Sequence, residues 1–263
     1  MVNPLTKNRI KGLVFLMLVS GMAHAADWDT LLKAMQKGRN FMPAGTVEVV
    51  VNFPPSANPV RSRKDLPQLS FLPGLVRKNF ELAFEESQML AGRSSTMYTL
   101  SPKNRLSNAW TIWVDDLWQV PVAYQQQDLE GNVLRRAAFQ SFKGTLTRLK
   151  TPFKQELRYN AALESSILKA LPGLKLPQPY RVVGLKATQF RDVQSTEIYL
   201  SDGINLIPVI IASKGVQKAE GVAVVKLKQQ FVWVVAKFPD MELLNIIEHL
   251  KDIRTDQLPD TGE

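Results

Sequence analysis

The run AWTIWVDDLWQVPVAYQQQDLEGNVLRRAAFQSF, from Ala109 to Phe142, decides the fold of this chain. It holds three strand-length segments: Ala109 to Asp115, Val120 to Gln127 and Val133 to Phe142. The links between them are short, and the second, Asp128-Leu129-Glu130-Gly131-Asn132, is made of turn-forming residues. Connections of this length leave no room for a crossover helix, so neighbouring strands run antiparallel. Because side chains alternate across a strand, Trp110, Ile112 and Val114 share one face, and Val120, Val122 and Tyr124 share one face of the next. Trp113 projects from the opposite side and Trp118 falls in the turn.

Upstream, Ser94 to Leu100 continues the pattern, as does Asn79 to Glu85, where Phe80, Leu82 and Phe84 alternate with Glu81, Ala83 and Glu85. The whole reads as an antiparallel meander. From Gly45, Val47, Val49, Val51 and Phe53 again recur at period two until Pro54-Pro55. Before it, Asp27 to Gln36 has helical spacing, with Trp28, Leu31, Leu32 and Met35 on one stripe and Asp27 placed as N-cap. Between Ser56 and Arg77, Pro59, Pro67, Pro73 and Gly74 break every period, which predicts a loop holding one short element at most.

Downstream, Tyr159 to Leu171 is helical, with Leu163, Ile167, Leu168 and Leu171 on one side. Pro172, Pro177 and Pro179 follow and mark a domain boundary. Five more strands are expected at Tyr180 to Phe190, Thr196 to Leu200, Ile204 to Ala212, Val222 to Lys228 and Phe231 to Phe238. Pro239 introduces a last helix with a stripe of Met241, Leu244, Ile247 and Leu250. The expected division is a leader at 1–25, a first domain at 26–152, a connecting helix at 153–171, a second domain at 172–253 and a flexible tail at 254–263.

The leader has the composition of an export signal. Lys7, Arg9 and Lys11 precede an apolar run from Leu13 to Val19, and Ala23-His24-Ala25 is a small-x-small cleavage site. The run is too short to span a bilayer, which takes about 20 apolar residues, so cleavage after Ala25 and a periplasmic destination are expected. The chain has no cysteine, which excludes a lipidated N-terminal cysteine and leaves the exported protein to be held by its cores alone. Its 33 Lys and Arg exceed its 24 Asp and Glu by nine, and without Lys7, Arg9 and Lys11 the excess is six. That bias is spread along the chain and forms no basic stripe of the kind that binds nucleic acid.

Catalytic chemistry finds few residues to use. Beyond the leader, His249 is the single histidine, so neither a His/Cys metal site nor a cysteine nucleophile with an imidazole base can be assembled. Asp115-Asp116 and Glu85-Glu86 are the carboxylate pairs a hydrolase would need, yet adjacent strand residues point to opposite faces. Gly92, Gly131, Gly144 and Gly203 are isolated and cradle no phosphate. No catalytic residue, cofactor or metal is expected. The apolar face of Trp110, Ile112, Val114, Val120, Val122 and Tyr124 has two readings: a core beneath the Trp28 helix, or, on a highly curved sheet, a pocket for an acyl chain or peptide.

Two passages resemble the MucB/RseB family of periplasmic regulators of an envelope-stress sigma factor. Leu90-Ala91-Gly92-Arg93, Tyr98-Thr99-Leu100-Ser101-Pro102, Ile112-Trp113-Val114-Asp115 and Gln127-Asp128-Leu129-Glu130-Gly131-Asn132-Val133-Leu134 follow one another as in its N-terminal domain. Pro179-Tyr180-Arg181-Val182-Val183-Gly184, Tyr199-Leu200-Ser201-Asp202-Gly203 and Val234-Val235-Ala236-Lys237-Phe238-Pro239 are similar to its C-terminal domain. The stretch from Ser56 to Arg77 lacks the family's LDG hairpin, and Ala236 stands where glycine is usual.

The resemblance implies an α+β protein: a LolA-like curved antiparallel sheet wrapped around helices, then a smaller mixed α+β domain. It implies no enzyme. The implied partner is the periplasmic segment of a membrane anti-sigma factor, with lipid, a lipopolysaccharide-like amphiphile or misfolded envelope protein as the sensed ligand. A LolA-type lipid or lipoprotein carrier is the alternative, and self-association stays open. Trp110, Ile112, Val114, Val120, Val122 and Tyr124 are the ligand-facing candidates.

Overall fold

The computed structural model describes residues 28–259 apart from 56, 154–156, 191–192 and 216–218; the leader, its cleavage site and the Asp27 cap lie outside the described residues. Helix α1 (Trp28–Gly38) leads into β1 (Phe41–Val51) and a four-residue β2 (Val60–Arg63). Helix α2 (Pro73–Asn79) runs directly into β3 (Phe80–Leu90), followed by β4 (Arg93–Pro102), β5 (Ala109–Asp115), β6 (Pro121–Gln127) and the long β7 (Val133–Arg148). These strands form one antiparallel sheet in the order β2-β1-β7-β6-β5-β4-β3. The five strands β3 to β7 are the meander expected from alternation, and β1 pairs alongside β7 at its far end.

The first sheet bends because its ladders slip. β1 against β7 shifts register at Pro43/Ala44 and at Thr46/Val47, and β5 against β6 shifts at Trp113/Val114. An extra residue on one strand bends and twists it. Gly45 permits the bend, since a Cβ there would stand 2.2 Å from the Ser141 carbonyl oxygen. Leu31, Ala34 and Met35 of α1 are buried in the same core as Val47, Tyr98, Leu100, Ile112, Tyr124 and Phe139.

The stretch from Ser56 to Arg77 holds two elements where the sequence predicts one at most. β2 is exposed along its whole length and so shows no alternation, while α2 begins on Pro73, whose fixed φ and missing N–H suit a first helical turn. Between them, residues 64–72 form a strap without regular structure, which sinks Leu66 and Phe71 into the first core. The strap is pinned by Arg39, which donates to the Phe71 carbonyl at 3.0 Å, and by Gln68, which donates to the Gly38 carbonyl at 3.2 Å.

Helix α3 (Ala161–Ala170) is capped by Asn160, whose side chain accepts from the amides of Ala162 and Leu163. Strands β8 (Arg181–Phe190), β9 (Val193–Ser201), β10 (Leu206–Ala212), β11 (Val222–Leu227) and β12 (Gln230–Val235) form a second antiparallel sheet, ordered β11-β12-β10-β9-β8. Its core gathers Ile167 of α3 and Leu171, just past its end, with Ile198, Leu200, Val209, Val232 and Val234. Helix α4 (Asp240–Asn245) is shorter than the spacing suggests. The chain turns after Asn245, burying Leu243, Ile246, Ile247 and Leu250 and leaving Met241 and Leu244 exposed. Within the stretch expected to be a tail, Thr255–Gln257 form a 3-10 turn, Leu258 packs on the second core and the Arg254 amide donates to the Ala170 carbonyl, while 260–263 lie outside the described residues. Among the described residues, no helix is long and apolar enough to cross a membrane.

Candidate functional site

Five of the six ligand-facing candidates, Trp110, Ile112, Val114, Val122 and Tyr124, lie together in the first core and Val120 stands outside that cluster; all six are between 0% and 5% exposed, buried in the protein and open to no ligand-sized space. Ile112 lies opposite Tyr124 in the ladder, and both sit beneath α1 with Trp110, Val114 and Val122. Val120 lies just before β6, in a bend whose carbonyl accepts from the Asp115 amide. Of the six, Tyr124 borders a cavity, between α1, the strap and Pro121, whose volume of about 20 Å³ suits one water. Burial pushes the Tyr124 phenol up to about 12, with Arg135 and Arg63 pulling the other way.

The carboxylates weighed as catalysts are engaged in structure. Asp115, fully buried, receives Arg93 Nε at 2.5 Å and Nη2 at 3.0 Å, and accepts the amides of Leu117 and Trp118. Arg93 also lies 3.5 Å over the Trp118 ring, so a charge-assisted pair and a cation–π contact lock the β5–β6 turn. Asp116 accepts from the hydroxyls of Ser94 and Thr96. Glu85 takes a hydrogen bond from Gln88, and the Glu86 side chain lies outside the described residues. His249 is exposed, 3.7 Å from Glu248. No cluster of metal-ligating side chains occurs among the described residues.

The concentration of buried polar groups lies elsewhere, where the Ser201-Asp202-Gly203-Ile204-Asn205 turn of the second sheet enters the first domain. Ile204 belongs to the first core. Gly203 adopts φ +125° and accepts from the Leu72 amide; a Cβ there would stand 2.6 Å from the Val76 nitrogen. Asn205 is 3% exposed, yet both ends of its amide are used. Its Oδ1 accepts from Trp110 Nε1 and Gln126 Nε2, each at 2.7 Å, and its Nδ2 donates to the Asn108 carbonyl at 3.0 Å and Asp202 Oδ2 at 2.7 Å. A buried amide satisfied this fully fixes one seating of the domains.

Two ionisable groups share that seam. Burial raises the Asp202 carboxyl, against the opposing pull of Asn205, the Ile204 and Asn205 amides and Ser107. Burial raises Tyr180 as well, and the Asp202 charge adds to it; the Tyr180 hydroxyl donates to the Leu106 carbonyl at 3.3 Å. Beside the seam opens a cleft of about 280 Å³, walled by Pro54 and Leu134 from the first domain and Ile207, Pro208 and Phe238 from the second, with Arg135 and Lys237 on its lining. The sequence marks Ser-Asp-Gly as a turn and gives no sign that it is buried, because its partners lie 79 to 123 residues away.

No protein-family model and no curated protein sequence matches the chain. Solved structures do. A crystal structure of MucB matches with a TM-score of 0.59 at 16% identity, covering 87% of this chain and 98% of MucB. MucB in complex with MucA(peri) matches at 0.54 and 15% identity, covering 88% of this chain and 99% of that one. The Pseudomonas aeruginosa MucA/MucB complex matches at 0.55 and 14%, covering 84% and 96%. Two open antiparallel sheets with few helices, joined by a buried turn and matched across nearly all of MucB, give this chain a MucB/RseB-like α+β fold.

Proposed function

We propose that this chain is an exported binding protein that holds the periplasmic segment of a membrane anti-sigma factor and releases it when lipid or misfolded envelope protein binds. The observation that carries the reading is the extent of the structural match: it takes in both sheets and 98% of MucB, and two of the matched structures are MucB complexes with MucA. A lipid carrier built on the first sheet alone would have no use for the second. The basic, apolar leader with its Ala23-His24-Ala25 site supports delivery to the periplasm.

Release follows from linkage: a ligand that prefers the unbound regulator weakens the complex by its difference in affinity. The cleft beside Asn205 suits such a ligand, because it has walls from both domains and its occupancy would bear on their seating. Trp110, Ile112, Val114, Val120, Val122 and Tyr124 would meet an acyl chain or peptide once the strap at 64–72 lifts Leu66 and Phe71 from the core.

Protease protection tests the reading. The periplasmic segment of a membrane anti-sigma factor from the same organism should resist cleavage when this protein is present, and an amphiphile should restore cleavage. Equal cleavage rates with and without the protein would contradict it.

A further inference from the structure

On the reading of the interdomain cleft as the ligand's seat, we propose that its occupant is a short single-chain carboxylate, an alkanoate-like molecule whose head pairs with Arg135 and whose chain lies on the apolar walls. Arg135 lines the cleft from β7, set in the ladder between Val51 of β1 and Gln126 of β6. Gln126 is itself held by Asn205, which fixes this part of the sheet against the second domain.

Arg135 is a cation without a counter-charge. Among the described residues its guanidinium makes no hydrogen bond and no ion pair. The walls around it strip part of its hydration and oppose the charged form, yet a guanidinium keeps its proton in a protein. Tyr124, which acts on it, is a phenol whose own burial lifts it to about 12, so it is neutral and supplies no balancing charge. A partly desolvated cation with no partner is stabilised by an anion that reaches it, and Arg135 is open to solvent.

Charge and size select the anion. Lys237, the other cation on the lining, is already paired with Glu220, and Asp128 and Glu130 bear on it as well. One unpaired positive charge beside an acidic margin suits a monoanion and disfavours a doubly charged phosphate. The guanidinium fork also matches the two oxygens of a carboxylate. At about 280 Å³ the cleft lies at the lower end of small-molecule sites, which gives room for one short chain along Phe53, Pro54, Pro208 and Phe238 and none for a lipid with several. Its walls have little to offer a polypeptide strand: Pro54 and Pro208 carry no N–H, the Leu134 carbonyl is taken by the Asn52 and Phe53 amides, and the Ala236 amide donates to Gly221.

Titration calorimetry of octanoate into the purified protein should show saturable binding, with a Kd on the order of 100 μM to 1 mM. Octanol and octyl phosphate, matched in chain, should each bind about tenfold more weakly or worse. Arg135→Gln should cost octanoate about tenfold and leave octanol unchanged, while Arg135→Lys, which keeps the charge and loses the fork, should recover part of the loss. Leu206→Trp, at an exposed position on the lining, should obstruct the chain and weaken octanoate and octanol alike. Circular dichroism and Tm should be unchanged in each variant, and the comparison of head groups on the unaltered protein stands whether or not a variant folds. Octanol binding as tightly as octanoate, octyl phosphate binding more tightly, or octanoate held undiminished by folded Arg135→Gln overturns the proposal. So does an absence of octanoate binding at about 10 mM, or a cleft that takes an amidated apolar peptide in its place. The anti-sigma segment is absent from these titrations, so their failure would leave its protection from protease untouched, and a loss of protection would leave octanoate binding untouched.

Discussion

Trp110, in the middle of the first sheet, donates its indole N–H to Asn205 of the second domain at 2.7 Å, with both residues buried. The bond joins an apolar strand face to the polar hub that seats the two domains. Asn205→Ala would strip partners from Trp110 Nε1 and Gln126 Nε2 inside the seam. Unpaired buried donors cost about 1–3 kcal/mol each, so the variant should lose about 2–4 kcal/mol in urea denaturation. A double-mutant cycle with Trp110→Phe should show coupling of about 1 kcal/mol, and strictly additive losses would deny the bond its role.

Gly203→Ala tests the close approach of the turn. The methyl group would meet the Val76 nitrogen and the Leu75 carbonyl carbon, at a φ that L side chains avoid. Backbone strain of this kind costs about 1–3 kcal/mol, and the clash adds to it. Tm should fall by about 4–8 °C, read by calorimetry. An unchanged Tm would mean the turn is not held against α2.

Asp202 gives the seam a pH dependence with a definite sign. Its folded carboxyl is raised above the ordinary value of 3.8, chiefly by burial, so the folded state holds that proton more tightly than the unfolded chain. The stability it contributes is fully present below the ordinary carboxylate range and is lost as pH rises through the raised value. The stability of the protein relative to Asp202→Asn should therefore decline as pH rises from about 4, measured by urea midpoints across the range. A relative stability that grows with pH would contradict this.

Two side-chain hydrogen bonds, from Arg39 and Gln68, hold the strap to the end of α1. Arg39→Ala removes the donor to the Phe71 carbonyl, leaving the strap held by Gln68, by the Leu72 amide on the Gly203 carbonyl and by the burial of Leu66 and Phe71. Hydrogen exchange between Trp110 and Tyr124 should speed up several-fold, and an apolar dye should bind more strongly. No change in either would show that the inner face is reached some other way.

The meander was legible because Trp110, Ile112 and Val114 obey period two and the turns between strands carry their own chemistry. Residues with no such periodicity were illegible. β2 presents every side chain to solvent, and α2 starts on a proline that reads equally as a breaker. At the last helix, the stripe of Met241 and Leu244 assumed a longer helix than α4; with the chain turning after Asn245, Leu243 and Ile246 face the core instead. At the seam, Asp202 and Asn205 look like an ordinary solvent turn, since their burial depends on Asn79, Asn108, Trp110 and Gln126, far away along the chain.

The account rests on this protein acting by holding a polypeptide. Isothermal titration of the periplasmic segment of a membrane anti-sigma factor from the same organism into the folded protein measures that directly. The expected result is saturable binding at micromolar Kd or tighter, about −8 kcal/mol or more, weakened at least tenfold by Asn205→Ala. Absence of heat with both components at about 100 μM, from protein whose circular dichroism and Tm are those of the intact fold, would contradict it.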